Sequence, residues 1–282
     1  MSARAVVVTG ASTGIGRATA LALDRAGYRV FAGVRRAQDG DALKASASPR
    51  LEPLRLDVAD AASRESAARC VAEAVGAAGL FGLVNNAGIV VAGPVEFLAL
   101  DELRRQLEVN VVGLVGVTQS LFPLLRAAPG RIVLIGSSSG YLATPLMAAY
   151  AASKFALEAI ADSMRRELAG SGVEVVLVEP GAIATPIWEK GVAQGDELMK
   201  RLPAEALALY REQLDRLRAY AVKAPARSIP AERVADAVLL AFRAARPRTR
   251  YRVGTDAKLG WWLAKLLPDR ALDGLIGRLT QA

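Results

Sequence analysis

The chain has 282 residues, 52% of them hydrophobic and 23% charged, with a net charge of +8, one cysteine (Cys70) and no histidine. That balance implies a folded core and excludes disorder. A disulfide within the chain would need a second thiol, and the lack of imidazole excludes Ser-His-Asp and Cys-His hydrolases and most zinc sites, so no metal is expected. From the N-terminus, 5–9 is a short apolar run ended by Gly10, and a helical pattern then runs to Asp24 and is closed by Gly27. Strand-like stretches follow at 28–34 and at 51–56, the latter ending at Asp57; 59–75 reads as a helix. The strand at 80–84 stops at Asn85-Asn86-Ala87-Gly88, and 101–125 reads as one long helix. A strand at 131–135, a helix at 149–168 and a strand at 173–178 lead to Pro180-Gly181.

Short apolar strands alternating with helices imply a parallel sheet covered on both faces, the doubly wound, Rossmann-type α/β class. The alternation continues without a linker to about residue 180, so a single domain is expected over 1–282. Residues 186–230 depart from the pattern, with Pro186, Pro203, Pro225 and Pro230 around an amphipathic helix near 204–220. An insertion beyond a strand's C-terminal end sits where such sheets bind ligands, so 186–225 reads as a substrate lid, with Gly191 and Gly195 as flexible joints. Residues 254–282 read as a C-terminal helical extension. No signal peptide precedes the first strand, and no apolar stretch reaches the roughly 18 residues of a spanning helix, so a soluble cytoplasmic protein is expected.

The stretch Thr9-Gly10-Ala11-Ser12-Thr13-Gly14-Ile15-Gly16 joins the first strand to the first helix. Glycines there let the backbone approach a pyrophosphate, and the helix N-terminus supplies free N–H groups. The second strand ends in Gly33-Val34-Arg35-Arg36. Val34 has no carboxylate to grip ribose hydroxyls, whereas the arginines suit a 2′-phosphate. NADP(H) is the preferred cofactor on this logic, with NAD(H) second. Tyr150 and Lys154 share one helix face. A neighbouring ammonium and an oxidised nicotinamide both favour phenolate, and so should lower the tyrosine pKa from its ordinary value of about 10. Ser137 lies just beyond the strand at 131–135. Asn110 interrupts an apolar helix, either as a buried amide needing partners or as a partly exposed residue at a kink.

Taken together, these features resemble the short-chain dehydrogenase/reductase family over roughly residues 4–190. The motifs fall in the family's order: the Thr9–Gly16 loop, Leu56-Asp57-Val58, Asn85-Asn86-Ala87-Gly88, Asn110, Ser137, Tyr150 with Lys154, and Pro180-Gly181 followed by Thr185. The resemblance implies that Tyr150 is the general acid/base, that Ser137 hydrogen-bonds the same substrate oxygen, and that Lys154 binds the nicotinamide ribose. Asn110 would anchor a water in a proton relay. Among Ser137, Ser138 and Ser139 the resemblance selects Ser137. Asp57 would accept from the adenine amino group, Asn86 would line the adenosine ribose, and Ile183 and Thr185 would position the carboxamide and phosphates. Gly10, Ser12, Gly14, Ile15, Gly16, Arg35, Val58, Ala87, Gly88, Pro180 and Gly181 complete the implied cofactor site. Leu142, Met147 and Trp188 would line an apolar pocket for an alcohol or ketone. The stretches Tyr150–Glu158, 187–190, 248–251 and 256–259 look closest to the 17β-hydroxysteroid and retinol dehydrogenase branch.

Two competing readings remain. One is a catalytically idle NADP(H) sensor on the same fold. The other is a membrane-surface protein. Leu259, Trp262, Leu263 and Leu266, and then Leu272, Leu275, Ile276 and Leu279, recur at helical spacing beside basic residues. Packing on a core, lid or partner explains the same stripes and is preferred. Nucleic acid is not expected, because the basic excess is local: residues 243–282 hold nine Lys or Arg against three Asp. The helices with Asn110 and Tyr150 carry apolar residues on more than one face (Leu114, Val117, Leu121; Ala156, Ile160, Met164), so a homodimer or homotetramer is expected.

Overall fold

Strand residues point alternately to opposite faces, and in this chain most strand positions are apolar, so both faces need cover. A computed structural model describes residues 4–281, with side chains through Arg278. The chain runs β1 (Ala5–Val8), α1 (Gly14–Arg25), β2 (Arg29–Val34), α2 (Ala37–Lys44), β3 (Leu51–Arg55), α3 (Ala61–Val75) and β4 (Gly82–Asn85). Next come α4 (Leu100–Leu107), α5 (Gly113–Arg126), β5 (Arg131–Ile135), α6 (Ala148–Glu167), β6 (Glu174–Pro180) and β7 (Ile183–Ala184). The remainder is α7 (Ile187–Arg201), α8 (Ala204–Arg227), β8 (Ile229–Pro230), α9 (Glu232–Arg243), β9 (Arg250–Val253), α10 (Thr255–Leu266) and α11 (Asp269–Gln281).

Seven strands form one parallel sheet in the order β3-β2-β1-β4-β5-β6-β9, and β7 pairs with β8 in a small second ladder. Val6, Val8, Val84, Val133, Ile135, Val176 and Val178 face one core, closed by residues of α1 and α9 such as Leu23, Val238 and Phe242. Val7, Leu83, Ile132, Leu134, Val175 and Leu177 face the other, closed by Leu114, Leu121 and Leu157 of α5 and α6. The doubly wound fold read from the sequence is the observed one. Pro53 sits in β3, an edge strand, where the missing N–H costs no ladder bond to a further strand.

The sequence reading passed over β9. Its residues, Arg-Tyr-Arg-Val, carry charge where a buried strand normally carries apolar groups. Arg250 pairs with Glu158 and Asp162 at 3.0 Å, and Arg252 with the buried Glu179 at 3.2 Å. Partners on neighbouring elements thus let these arginines enter a sheet edge, and nothing local signals that.

Other expectations also need correction. Gly191 and Gly195 are not joints between irregular pieces: both lie inside α7, which begins directly after Pro186. Proline is tolerated at such a start because the first-turn N–H groups have no partner within the helix. The long helix at 101–125 is α4 and α5 joined through a π-helical turn, Glu108–Val112. Contrary to the expectation that no apolar stretch reaches spanning length, the continuous helix Leu100–Arg126 holds an 18-residue window with a mean hydropathy of 1.4, long and apolar enough to cross a membrane. Its Leu114, Val117, Leu121 and Leu125 are buried within the chain. For the same reason Leu114, Val117, Leu121 and Met164 cannot be the surface that calls for a partner subunit; Val112 and Phe155, 50% and 45% exposed, remain as outward apolar residues of these helices.

Candidate active site

Between β1 and β4 the strand order reverses direction, which opens a crevice at the C-terminal ends of the strands. Both the loop after β1 and the Asn85–Gly88 turn after β4 end there. Thr9 ties them together: its Oγ1 accepts from the backbone N–H of Asn86 at 3.0 Å and of Ala87 at 2.9 Å. The Asn86 amide donates to the carbonyls of Thr9 and Gly10 at 2.9 and 3.1 Å, so this side chain braces the loop. A Cβ at Gly16 would lie 2.2 Å from the Gly10 carbonyl oxygen, which demands glycine at that position. Gly10 and Gly14 adopt φ of 64° and 56°, the left-handed region that suits glycine. Thr13, at the N-cap of α1, makes no side-chain capping bond, which leaves the first-turn amides beside Ser12 and Ile15 available to an anion. Thr185 faces Gly14 across the crevice, 3.1 Å from where its Cβ would stand. A glycine cradle with uncapped amides and a hydroxyl residue opposite fits a dinucleotide pyrophosphate.

At the end of β2 the two arginines differ. Arg36 forms a two-pronged bond with Asp39, at 2.9 Å on each side, which holds the Asp39 carboxyl below its ordinary range. Arg35 is exposed and makes no hydrogen bond or ion pair with the described residues. Beside it, just past β3, Asp57 is half-buried and its Oδ1 accepts from Ala59 N at 3.1 Å, while Val58 is buried.

Asn110 is 1% exposed, which removes the partly exposed alternative. The π-helical turn supplies the reason for its placement, since one wide turn swings the amide inward off the regular helical ladder. Its Oδ1 accepts from Ile89 N at 2.8 Å, and its Nδ2 donates to the Ile89 carbonyl at 3.1 Å and to Ser153 Oγ at 3.1 Å. Gln106, one turn earlier and fully buried, repeats the pattern by accepting from Val91 N at 2.6 Å and donating to the Ile89 carbonyl at 3.0 Å. Gln106, Ser153 and Thr9 were not singled out from the sequence. The signal for Gln106 was its spacing of four from Asn110 on an otherwise apolar face.

Ser137, just past β5, is buried and its Oγ accepts from Ser139 N at 3.1 Å. Its side chain bears on the phenol of Tyr150 on α6, whose pKa it acts to lower. Lys154, one turn along α6, is buried; its Nζ donates to the Ile135 carbonyl at 2.8 Å and stands 5.7 Å from the centre of the Tyr150 ring. Burial pushes the lysine down to about 8. Burial likewise raises the Tyr150 phenol, with Ser137 opposing, where the sequence reading expected it lowered. The ammonium sits over the ring face and is bonded to a carbonyl, so its charge does not meet the phenolic oxygen directly.

The Pro180–Ile183 turn follows β6, with Pro180 and Ile183 buried. Trp188 Nε1 donates to the Ile183 carbonyl at 2.7 Å, and its ring meets Tyr220 of α8 edge-on at 5.7 Å. Leu142 lies toward Gly260 of α10, and Met147 directly precedes α6. These three expected pocket residues therefore face different neighbours. Leu146, between them, is the one non-glycine residue among those described with positive φ, at 66°, a strained setting beside the site that the sequence did not announce.

A model of the short-chain dehydrogenase family matches residues 4–195. The chain belongs to that family. Among its short-chain dehydrogenase relatives, retinol dehydrogenase 5 of Mus musculus is 39% identical over 96% of this chain and 87% of its own length. The NADPH-dependent 3-dehydrocapnine reductase of Ornithobacterium rhinotracheale is 36% identical over 99% of each chain. Among solved structures, a short-chain dehydrogenase from Burkholderia cenocepacia in complex with NADP superposes with a TM-score of 0.72 at 26% identity, covering 99% of this chain and 98% of the other. The protein is an oxidoreductase acting on CH–OH groups, of the retinol and hydroxysteroid dehydrogenase-like branch. The matched region of this short-chain dehydrogenase contains all four candidate catalytic residues; β9 and α10 lie beyond it.

Proposed function

We propose that the chain interconverts an apolar primary or secondary alcohol and its aldehyde or ketone with NADP(H), Tyr150 serving as general acid/base. The observation that carries this reading is the Ser137–Tyr150–Lys154 cluster at the C-terminal edge of the sheet, backed by the buried Asn110–Ser153 pair. When bound, the dinucleotide supplies or accepts the hydride. Tyr150 gives its phenolic proton to the carbonyl oxygen in reduction and takes it back in oxidation. Ser137 donates to the same oxygen and holds it beside the phenol. Lys154 holds the nicotinamide ribose. Asn110 anchors the water that links Lys154 to solvent. The phosphate loop binds the pyrophosphate, with Asp57 at the adenine and Ile183 and Thr185 at the nicotinamide end.

The free guanidinium of Arg35 and the absence of a carboxylate at Val34 support NADP(H) over NAD(H). The NADP held by the Burkholderia structure and the NADPH named for the Ornithobacterium relative point the same way. Relatives named for retinol support an apolar substrate, with Leu142, Met147 and Trp188 proposed to line its pocket. Residues 186–225 serve as the lid over it, within a single domain. A panel of apolar ketones and alcohols with NADPH and NADH, followed by nicotinamide absorbance, tests this. Turnover that is faster with NADPH and improves with apolar chain length is expected. NADPH binding without turnover of any carbonyl would overturn the enzyme in favour of the sensor.

The lone cysteine fits a cytoplasmic enzyme, and a homo-oligomer is proposed from the outward Val112 and Phe155. A second reading of its location, favoured by Leu259, Trp262 and Leu266 at 60%, 55% and 70% exposure on α10, has the same enzyme resting on an anionic membrane surface. Ala257 and Gly260 are buried and Leu263 is half-buried, so α10 packs in part as expected, while Leu259, Trp262 and Leu266 point outward. Leu272, Leu275 and Ile276 are half-buried on α11, and the side chain of Leu279 lies outside the described residues.

A further inference from the structure

We propose that Asp256, at the start of α10, is a positioning residue that sets the nicotinamide end of the cofactor by gripping the Pro180–Ile183 turn from behind. The proposal rests on the dinucleotide reading above. Asp256 Oδ2 accepts from the backbone N–H of Ala182 at 2.7 Å. Two glycines make room for that reach: a Cβ at Gly181 would lie 2.1 Å, and one at Gly254 2.3 Å, from an Asp256 carboxylate oxygen. Gly254 also adopts φ of 110°, so the backbone there is bent in a way that other residues resist.

The same junction grips the turn at neighbouring points. Gly181 N donates to the Val253 carbonyl at 2.9 Å, and Ile229 N donates to the Ala182 carbonyl at 3.2 Å. One residue before Pro180, the buried Glu179 meets Arg252 at 3.2 Å. The backbone from Glu179 to Ala182 is thereby held against β9 and α10, and Asp256 supplies a side-chain hydrogen bond at Ala182, immediately before Ile183. A carboxylate in the first turn of α10 also suits that helix's N-terminus. The test therefore separates support of the helix from support of the turn.

The full chain and its Asp256→Ala, Asp256→Glu and Asp256→Asn variants are compared for binding of NADPH and of 2′-phosphoadenosine 5′-diphosphoribose, which lacks the nicotinamide. Melting temperature and kcat with a ketone turned over by the parent chain are measured alongside. Glutamate keeps the helix-terminal charge but does not fit between the two glycines, and asparagine keeps an acceptor at the same reach. Asp256→Ala and Asp256→Glu should weaken NADPH about tenfold, the upper end for an ordinary hydrogen bond, and lower kcat. Both should bind the nicotinamide-free ligand as the parent does, and Asp256→Asn should recover most of the loss. Equal weakening of both ligands, a loss that follows melting temperature alone, or no loss in the Glu variant would overturn the proposal. Failure of the parent chain to bind NADPH would instead overturn the dinucleotide reading, and the proposal with it.

Discussion

Tyr150 carries most of the chemical argument, and its surroundings explain what it needs. Burial raises its phenol, and Lys154 lies over the ring and not at the oxygen. Phenolate therefore forms only when positive charge is brought to the oxygen side, which is where the nicotinamide ribose and ring are proposed to sit. Tyr150→Phe keeps the shape and removes the only proposed proton donor. Steady-state assays should show at least about a hundredfold loss of kcat, with NADPH binding by titration unchanged; near-normal kcat would contradict the mechanism. At the other end of the crevice, Arg36 is engaged by Asp39 while Arg35 is free. Arg35→Ala should raise the NADPH KM about tenfold or more and leave the NADH KM little changed. Adding Val34→Asp should reverse the preference, because a carboxylate there repels the phosphate and accepts from ribose hydroxyls. Equal losses for both cofactors would show that Arg35 does not read the phosphate.

The strand β9 enters the sheet because its arginines meet acids on β6 and α6. In that network burial pushes Glu179 up to about 7, from an ordinary value of 4.5, with Glu158 adding to the rise and Arg252 opposing it. Between those two pH values the folded chain retains a proton that the unfolded chain has released. Stability therefore falls as pH rises from 4.5 to about 7 and levels off above. Glu179→Gln is neutral throughout and removes this slope. Its melting temperature minus that of the parent should climb across the interval and then stay flat, as read by thermal denaturation in a pH series. A constant difference would place the titrating proton elsewhere. The π-helical turn at Glu108–Val112 has a comparable local consequence, because it turns Asn110 toward Ile89 and Ser153 where a regular helix would continue past them.

Among the apolar side chains that the described residues leave exposed are two sets with a proposed role. Val112 and Phe155 stand on the outer faces of the π-helical turn after α4 and of α6, and Leu259, Trp262 and Leu266 line α10. The first is proposed to pair subunits. Light scattering at micromolar concentration should give at least twice the 29.6 kDa of one chain, and Phe155→Glu should lower it; a monomeric mass for the parent would contradict the pairing. The second is proposed as the membrane-facing stripe of the alternative location. Flotation with anionic liposomes should then carry the protein upward, and Trp262→Glu should abolish this. Absence of flotation leaves the cytoplasmic reading standing.

Local chemistry was enough to reveal much of this protein. Alternating short apolar strands and helices imply the doubly wound sheet, and the glycine spacing after β1, the Tyr150–Lys154 spacing and the Val34-Arg35 strand end each follow from contacts within a few residues. Those features were legible because a turn, a helix face or a strand end is set by neighbours in the chain. Long-range contacts determined the remainder. β9 exists through partners far along the chain, Glu179 73 residues from Arg252 and Glu158 92 residues from Arg250. Asn110 is buried because backbone groups at Ile89 await it, and Leu114 and Val117 disappear under the sheet although their helix is apolar on several sides. Asp256 reaches Ala182 only because two glycines 73 residues apart, Gly181 and Gly254, meet at its carboxylate. Burial, charge pairing and close backbone approach depend on which segments the fold brings side by side, and local sequence carries no record of that.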